Sequence, residues 1–186
     1  MRLSPRWLAA AALTLLALLS SARPHYLAAL EWERGAMAEG QWPRLLTAHF
    51  VHLDAHHLLF NLLGLVLIVD LLMEQWTGSE LATLILVSAL GTSVLLWCCE
   101  PDVRWYAGLS GLLHGLWAGA ALYVCLARRS AIHACALLVL GIKLVWLNNG
   151  TGATPVLPIA HEYGALSGML WALTRRLLVI APIRLE

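Results

Sequence analysis

Gly108-Leu109-Ser110-Gly111-Leu112-Leu113-His114-Gly115 heads an apolar run that continues to residue 127. A serine and a histidine among glycines are costly to hold in a segment otherwise suited to hydrocarbon, and polar side chains retained there tend to be functional. Two other apolar runs also open on polar residues: His57-Leu58-Leu59-Phe60-Asn61 and Ala160-His161-Glu162-Tyr163-Gly164. The rest of the chain sets the environment. Of its 186 residues, 60% are hydrophobic and 12% charged, whereas a soluble domain carries roughly 25% charged residues. Composition therefore points to a membrane protein with the lipid bilayer as its solvent. A net charge of +1 argues against a nucleic-acid partner.

Six apolar segments can be marked, at residues 7–22, 57–73, 80–97, 108–127, 131–148 and 159–180. Most approach the ~20 residues that a spanning helix requires. The connections are short except for 23–56, so the expected architecture is an all-α polytopic membrane protein, a single six-helix bundle over residues 1–186. Arginines set its orientation. Arg2 and Arg6 precede the first segment, Arg128-Arg129 separate the fourth and fifth, and Arg175-Arg176 with Arg184 close the sixth. An even number of spans puts all three groups on one side, the cytoplasm. The 74–79 connection carries Glu74 and no Lys or Arg, and acidic residues contribute little to this rule. Residues 1–22 also fit a cleaved signal peptide, with Arg2 and Arg6, an apolar Leu8–Leu19 core and Ser20-Ser21-Ala22; retention as a span is the reading adopted.

With the N-terminus inside, the second, fourth and sixth segments all begin on the outer face, so the three polar motifs come to one depth. His57 and Asn61 are four apart and share a helix face, where both can donate to a developing oxyanion; cross-linking helices is the plainer role for such a pair. Ser110 lies between Gly108 and Gly111, which leave its backbone N–H uncovered at a helix start. Gly111, Gly115 and Gly119 form a small-residue ridge, and Gly164 and Gly168 share a face with His161. Docking the ridges brings His161 toward Ser110, a nucleophile with its base. Glu162 points about 100° away from His161 on a helix, so the expectation is a dyad. His114, four residues after Ser110, is the second candidate for the base, its plainer role being a hydrogen bond between helices below the site.

The remaining polar residues are read as supporting. His49, His52, His56 and His57 cluster, but without the His-Glu-x-x-His spacing of zinc proteases; no metal or other cofactor is expected, and His52 is expected to brace the loop and His57. Cys98, Cys99, Cys125 and Cys135 match no zinc pattern and read as packing residues. Lys143 is an isolated cation expected to snorkel to the outer surface, with pairing to Glu162 the alternative. Residues 23–56, with Trp32 and Trp42, should form an outer loop of short helices lying partly in the membrane. A transporter or metal handler using the histidines would need a polar path, which the inner halves of the spans do not offer.

The stretch Trp42-Pro43-Arg44-Leu45-Leu46-Thr47-Ala48-His49-Phe50-Val51-His52, with His57 to Asn61, resembles the first loop and second helix of the rhomboid family of intramembrane serine proteases. Gly108-Leu109-Ser110-Gly111 resembles its nucleophile motif, and Ala160-His161-Glu162-Tyr163-Gly164 with Gly168 its base-bearing last helix. The likeness runs through most of the chain from residue 42 onward. It implies a six-transmembrane-helix rhomboid-like bundle with Ser110 and His161 catalytic, His57 and Asn61 stabilising the transition state, and His52, Gly108, Gly111, His114, Gly164 and Gly168 in support. Two positions depart from the family pattern: Pro43 interrupts a Trp-Arg pair, and Glu162 follows the base histidine. The extended motif through Gly115, the small size and Lys143 are most similar to the rhombosortase branch. That branch implies a bacterial inner-membrane enzyme with its site near the periplasmic face. Its substrates are membrane-anchored proteins bearing a C-terminal sorting tail with a Gly-Gly motif. An inactive rhomboid-like protein that binds transmembrane clients is the alternative, against which Ser110 and His161 both stand.

Overall fold

The structure is a computed structural model describing residues 4–74, 76–149 and 157–180. Arg2 and Arg184 of the arginine pattern lie outside the described residues. In chain order the elements are α1 (Pro5–Ser21), α2 (Pro24–Leu30), β1 (Trp32–Glu33), α3 (Arg34–Ala38), α4 (Arg44–Thr47), a 3-10 turn (Ala48–Phe50), α5 (Ala55–Leu72), α6 (Gly78–Cys99), β2 (Trp105–Tyr106), α7 (Ser110–Arg128), α8 (Ala131–Asn149) and α9 (Pro158–Ile180). Each of the six apolar segments coincides with one long helix, and no end differs by more than two residues. Among the described residues, α5, α6 and α7 are long and apolar enough to cross a membrane, while α1 and the first part of α8 are shorter apolar helices.

Helix boundaries follow from capping. Pro5 begins α1 at a position where its missing N–H costs nothing. Asp54 accepts from His57 N at 2.8 Å to start α5. Thr77 and Glu80 form a capping box at the head of α6. Arg129, at φ 51°, ends α7 in the left-handed conformation.

The bundle is built around α7, whose residues are buried from Ser110 through Leu116 and again from Ala118 to Ala121. Its most extensive pairing is with α9, and α5, α6 and α8 surround the rest. In lipid there is no hydrophobic force between helices, so close van der Waals approach decides the pairing. A Cβ on Gly164 would run into the Gly111 carbonyl oxygen, and one on Gly168 into that of Gly115. The glycine ridges of α7 and α9 thus meet backbone to backbone. At the other end of the bundle Arg175 reaches Glu80 at 3.8 Å. α1 packs on α5, α6 and the 3-10 turn, burying Ala10, Leu13 and Ala17.

The 23–56 connection holds the expected short helices and an element not expected from sequence. β1 pairs antiparallel with β2, Trp32 opposite Tyr106 and Glu33 opposite Trp105. Arg34 fixes this pair by donating to the carbonyls of Leu96, Trp97, Glu100 and Val103, satisfying the open end of α6. Its guanidinium lies 5.0 Å from the Trp32 ring centroid and 4.8 Å from that of Trp97. Arg44 does the same for α2, donating to Ala28 O and Glu31 O. The connection is thereby tied to α6 and to the strand that leads into α7.

Candidate active site

The chain turns from β2 into α7 through Gly108, whose φ of +119° suits glycine. A Cβ there would also sit 2.5 Å from His57 Cε1. The turn is clamped from three directions. Gly108 N donates to Ala48 O at 2.9 Å. The Tyr106 hydroxyl donates to Gly108 O at 2.6 Å and accepts from Gly111 N at 3.1 Å. Leu109 N donates to His52 Nε2 at 3.4 Å. Ser110 is therefore the first residue of α7, where a helix has N–H groups without internal acceptors, and the amides on either side of it are committed elsewhere.

The ridge contact sets what faces Ser110. With Gly164 against Gly111, His161 lies one turn before Gly164 on the same face of α9. Its Nε2 stands 2.9 Å from Ser110 Oγ. Both residues are buried. His114, the second candidate for the base, turns its Nδ1 to the Ser110 carbonyl oxygen at 2.7 Å rather than to the hydroxyl. Its ring is stacked on that of His161, with centroids 4.1 Å apart and planes 12° from parallel. Lys143 has a partner that the sequence did not indicate: its Nζ lies 2.7 Å from His114 Nε2, across from α8 to α7.

His57 and Asn61, on α5, lie across from Ser110 and His161. Both ring nitrogens of His57 and Nδ2 of Asn61 are buried without a hydrogen-bond partner among the described residues. These groups, Ser110 and His161 line one end of a cavity of about 680 Å³. The cavity runs between α5 and α8 with α7 as its floor, past Leu113, Trp117 and Val139 and along α5 as far as Leu72. Its wall is largely apolar, and most of its polar groups gather around Ser110 and His161.

His52 touches His57 edge to face, with ring centroids 5.1 Å apart, and lies 3.2 Å from Ser21 Oγ through Nδ1. Accepting from Leu109 N requires a bare Nε2, so the ring is neutral. Burial, with the neighbouring His57 second, pushes its pKa down to about 4. His49 is also held at about 4, chiefly by burial. Its Nε2 lies 2.9 Å from Ala89 O and its Nδ1 3.4 Å from the Tyr106 hydroxyl. Two of the four clustered histidines thus bear on the Gly108 turn, His52 on its backbone and His49 through Tyr106.

Sequence reasoning missed Tyr106, Ser21 and the Lys143–His114 contact. Tyr106 stands two residues before the Gly108 turn, and that proximity was a usable signal. Ser21 and Lys143 act over 31 and 29 positions of chain, which no local pattern registers.

The helical bundle thus sets a serine and a histidine 2.9 Å apart at one end of a largely apolar cavity. A rhomboid-domain family model matches residues 39–177, more than half of the chain. The chain belongs to the rhomboid family, whose members are intramembrane serine proteases, and is a multi-pass membrane protein. No curated protein matches it.

Proposed function

We propose that the chain is an intramembrane serine endopeptidase with Ser110 as nucleophile and His161 as general base. The observation that carries this is the 2.9 Å separation of His161 Nε2 and Ser110 Oγ at the end of the cavity. His161 takes the Ser110 proton as Oγ attacks the scissile carbonyl, and returns it to the leaving amine. Water then attacks the acyl-enzyme with the same base. The oxyanion is received by His57, Asn61 and the Ser110 amide. Donors already buried, with no partner among the described residues, need no reorganisation when that charge develops.

The chain crosses the membrane six times with its N-terminus in the cytoplasm, which puts the site near the periplasmic face of a bacterial inner membrane. The packing of α1 against α5 and α6 supports its retention as a span. The substrate is a membrane-anchored protein that enters sideways, and the apolar cavity between α5 and α8 suits an apolar segment. A peptide bond in a helix is shielded, and glycines lower the cost of unwinding it. The resemblance to rhombosortases narrows the substrate to exported proteins ending in a Gly-Gly motif, an apolar span and basic residues. The test is to delete the enzyme and follow such a protein by mass spectrometry. The tail should be retained without the enzyme and removed when wild type, but not Ser110→Ala, is restored. Removal at the same position in the deletion strain would overturn the sorting role.

A further inference from the structure

His114 and Lys143 stand within the site, and the Ser–His dyad uses neither. We infer that Lys143 is a positioning residue: through one hydrogen bond it holds His114 as the neutral, Nδ1-protonated ring that backs His161. The inference rests on the serine-protease reading above.

Donor and acceptor chemistry fixes the ring. The Ser110 carbonyl oxygen only accepts, so His114 Nδ1, 2.7 Å away, carries the proton. His114 Nε2 then presents its lone pair to Lys143 Nζ at 2.7 Å. With the proton on Nδ1, the neutral ring can only accept at Nε2, so Lys143 Nζ is the donor. His114 is thus held at both nitrogens, from its own helix α7 and from α8.

His161 lacks such anchoring. Its Nδ1 is buried with no hydrogen-bond partner among the described residues. In a three-membered arrangement that nitrogen would be held by a carboxylate, which sets ring orientation. Here the parallel face of His114, 4.1 Å away, is what holds the plane of His161 and aims Nε2 at Ser110 Oγ. The charge state of His114 matters too. Once His161 has taken the serine proton it is a cation. A neutral ring leaves the neighbouring positive charge on Lys143, at the Nε2 of that ring, whereas a proton on His114 would add a second like charge in stacking contact with His161. An intramembrane lysine is expensive unless paired, and this pairing gives it a reason to be there.

The experiment measures cleavage of a fluorogenic transmembrane substrate by purified full-length wild type, Lys143→Met, Lys143→Arg, His114→Phe and the Lys143→Met/His114→Phe double variant. Phe keeps a flat face for His161 but has nothing for Lys143 to bind. The expected result is a fall in kcat of roughly 10- to 100-fold for Lys143→Met, the scale of a misaimed reacting group, with KM little changed. Lys143→Arg should recover most of kcat. Adding Lys143→Met to His114→Phe should cost nothing further, since the route it acts through is gone. A Lys143→Met effect confined to KM, or one that persists undiminished in the His114→Phe background, would overturn the inference. So would unchanged kcat in Lys143→Met. Should Lys143→Met fail to purify as a folded protein, Lys143→Gln, uncharged and shorter, takes its place in the same comparison. If wild type itself neither cleaves substrate nor reacts with a fluorophosphonate, the protease reading falls and takes this inference with it. If wild type is active, the Lys143 comparison stands or falls alone.

Discussion

Asn61 Nδ2 and the ring nitrogens of His57 are buried without partners among the described residues, and such a group costs about 1–3 kcal/mol relative to a satisfied one. Groups left in this state in a native fold call for an explanation, and a charge that exists only in the transition state supplies one. On the proposed mechanism, replacing His57 or Asn61 with alanine lowers kcat by roughly 10²–10³, the cost of one lost oxyanion donor. KM should change little, and steady-state kinetics on the membrane substrate checks both. An effect on KM alone would mean that these side chains position substrate instead. Residue chemistry was the part of the site most legible in the sequence. Ser110, His161, His57 and Asn61 stand out because each is polar at the head of an apolar run. Lys143 stands out as a lone cation well inside an apolar run, but its partner does not. Snorkelling was the local expectation, and a contact from α8 to His114 depends on how two helices face each other.

At the scale of elements, the glycine spacing on α7 and α9 carried most of the geometry. Gly111 and Gly115 against Gly164 and Gly168 is a pairing readable from periodicity, and it brings His161 to Ser110. The β1–β2 pair was not readable, because two-residue strands leave no alternation to detect. Its register nonetheless matters, since it holds Tyr106 where its hydroxyl braces Gly108 and Gly111. The histidines of the long connection add a pH dependence. His49 and His52 are held at about 4 against an ordinary value of 6.5, so between these values the unfolded chain binds protons that the folded chain does not. Stability is then full above about pH 6.5 and is lost as pH falls toward 4. Protonating His52 also puts a proton on the nitrogen that accepts from Leu109 N, which opposes the clamp on the serine turn. The melting temperature in detergent should drop across that window, and less steeply in His49→Phe. A flat profile from pH 7 to 4 would contradict the assignment of these rings as neutral braces.

Across the whole molecule, the bundle brings three helix starts to one end of a largely apolar cavity. Hydropathy made the helical layout readable to within two residues at every end of the long helices. The cavity between α5 and α8 was not readable, since it depends on how far neighbouring helices stand apart, and side-chain pattern says little about that distance. The central claim is that this arrangement makes Ser110 a nucleophile. A fluorophosphonate probe tests that without knowledge of the natural substrate, because it needs only an activated serine and room to reach it. Purified wild-type protein should be labelled covalently, with the adduct mapped to Ser110 by mass spectrometry, and His161→Ala and Ser110→Ala, purified equally well, should not be labelled. Labelling of Ser110→Ala equal to wild type would contradict the account by placing the nucleophile elsewhere, and no labelling of a folded wild-type protein would contradict it in favour of a rhomboid that binds its clients without cutting them.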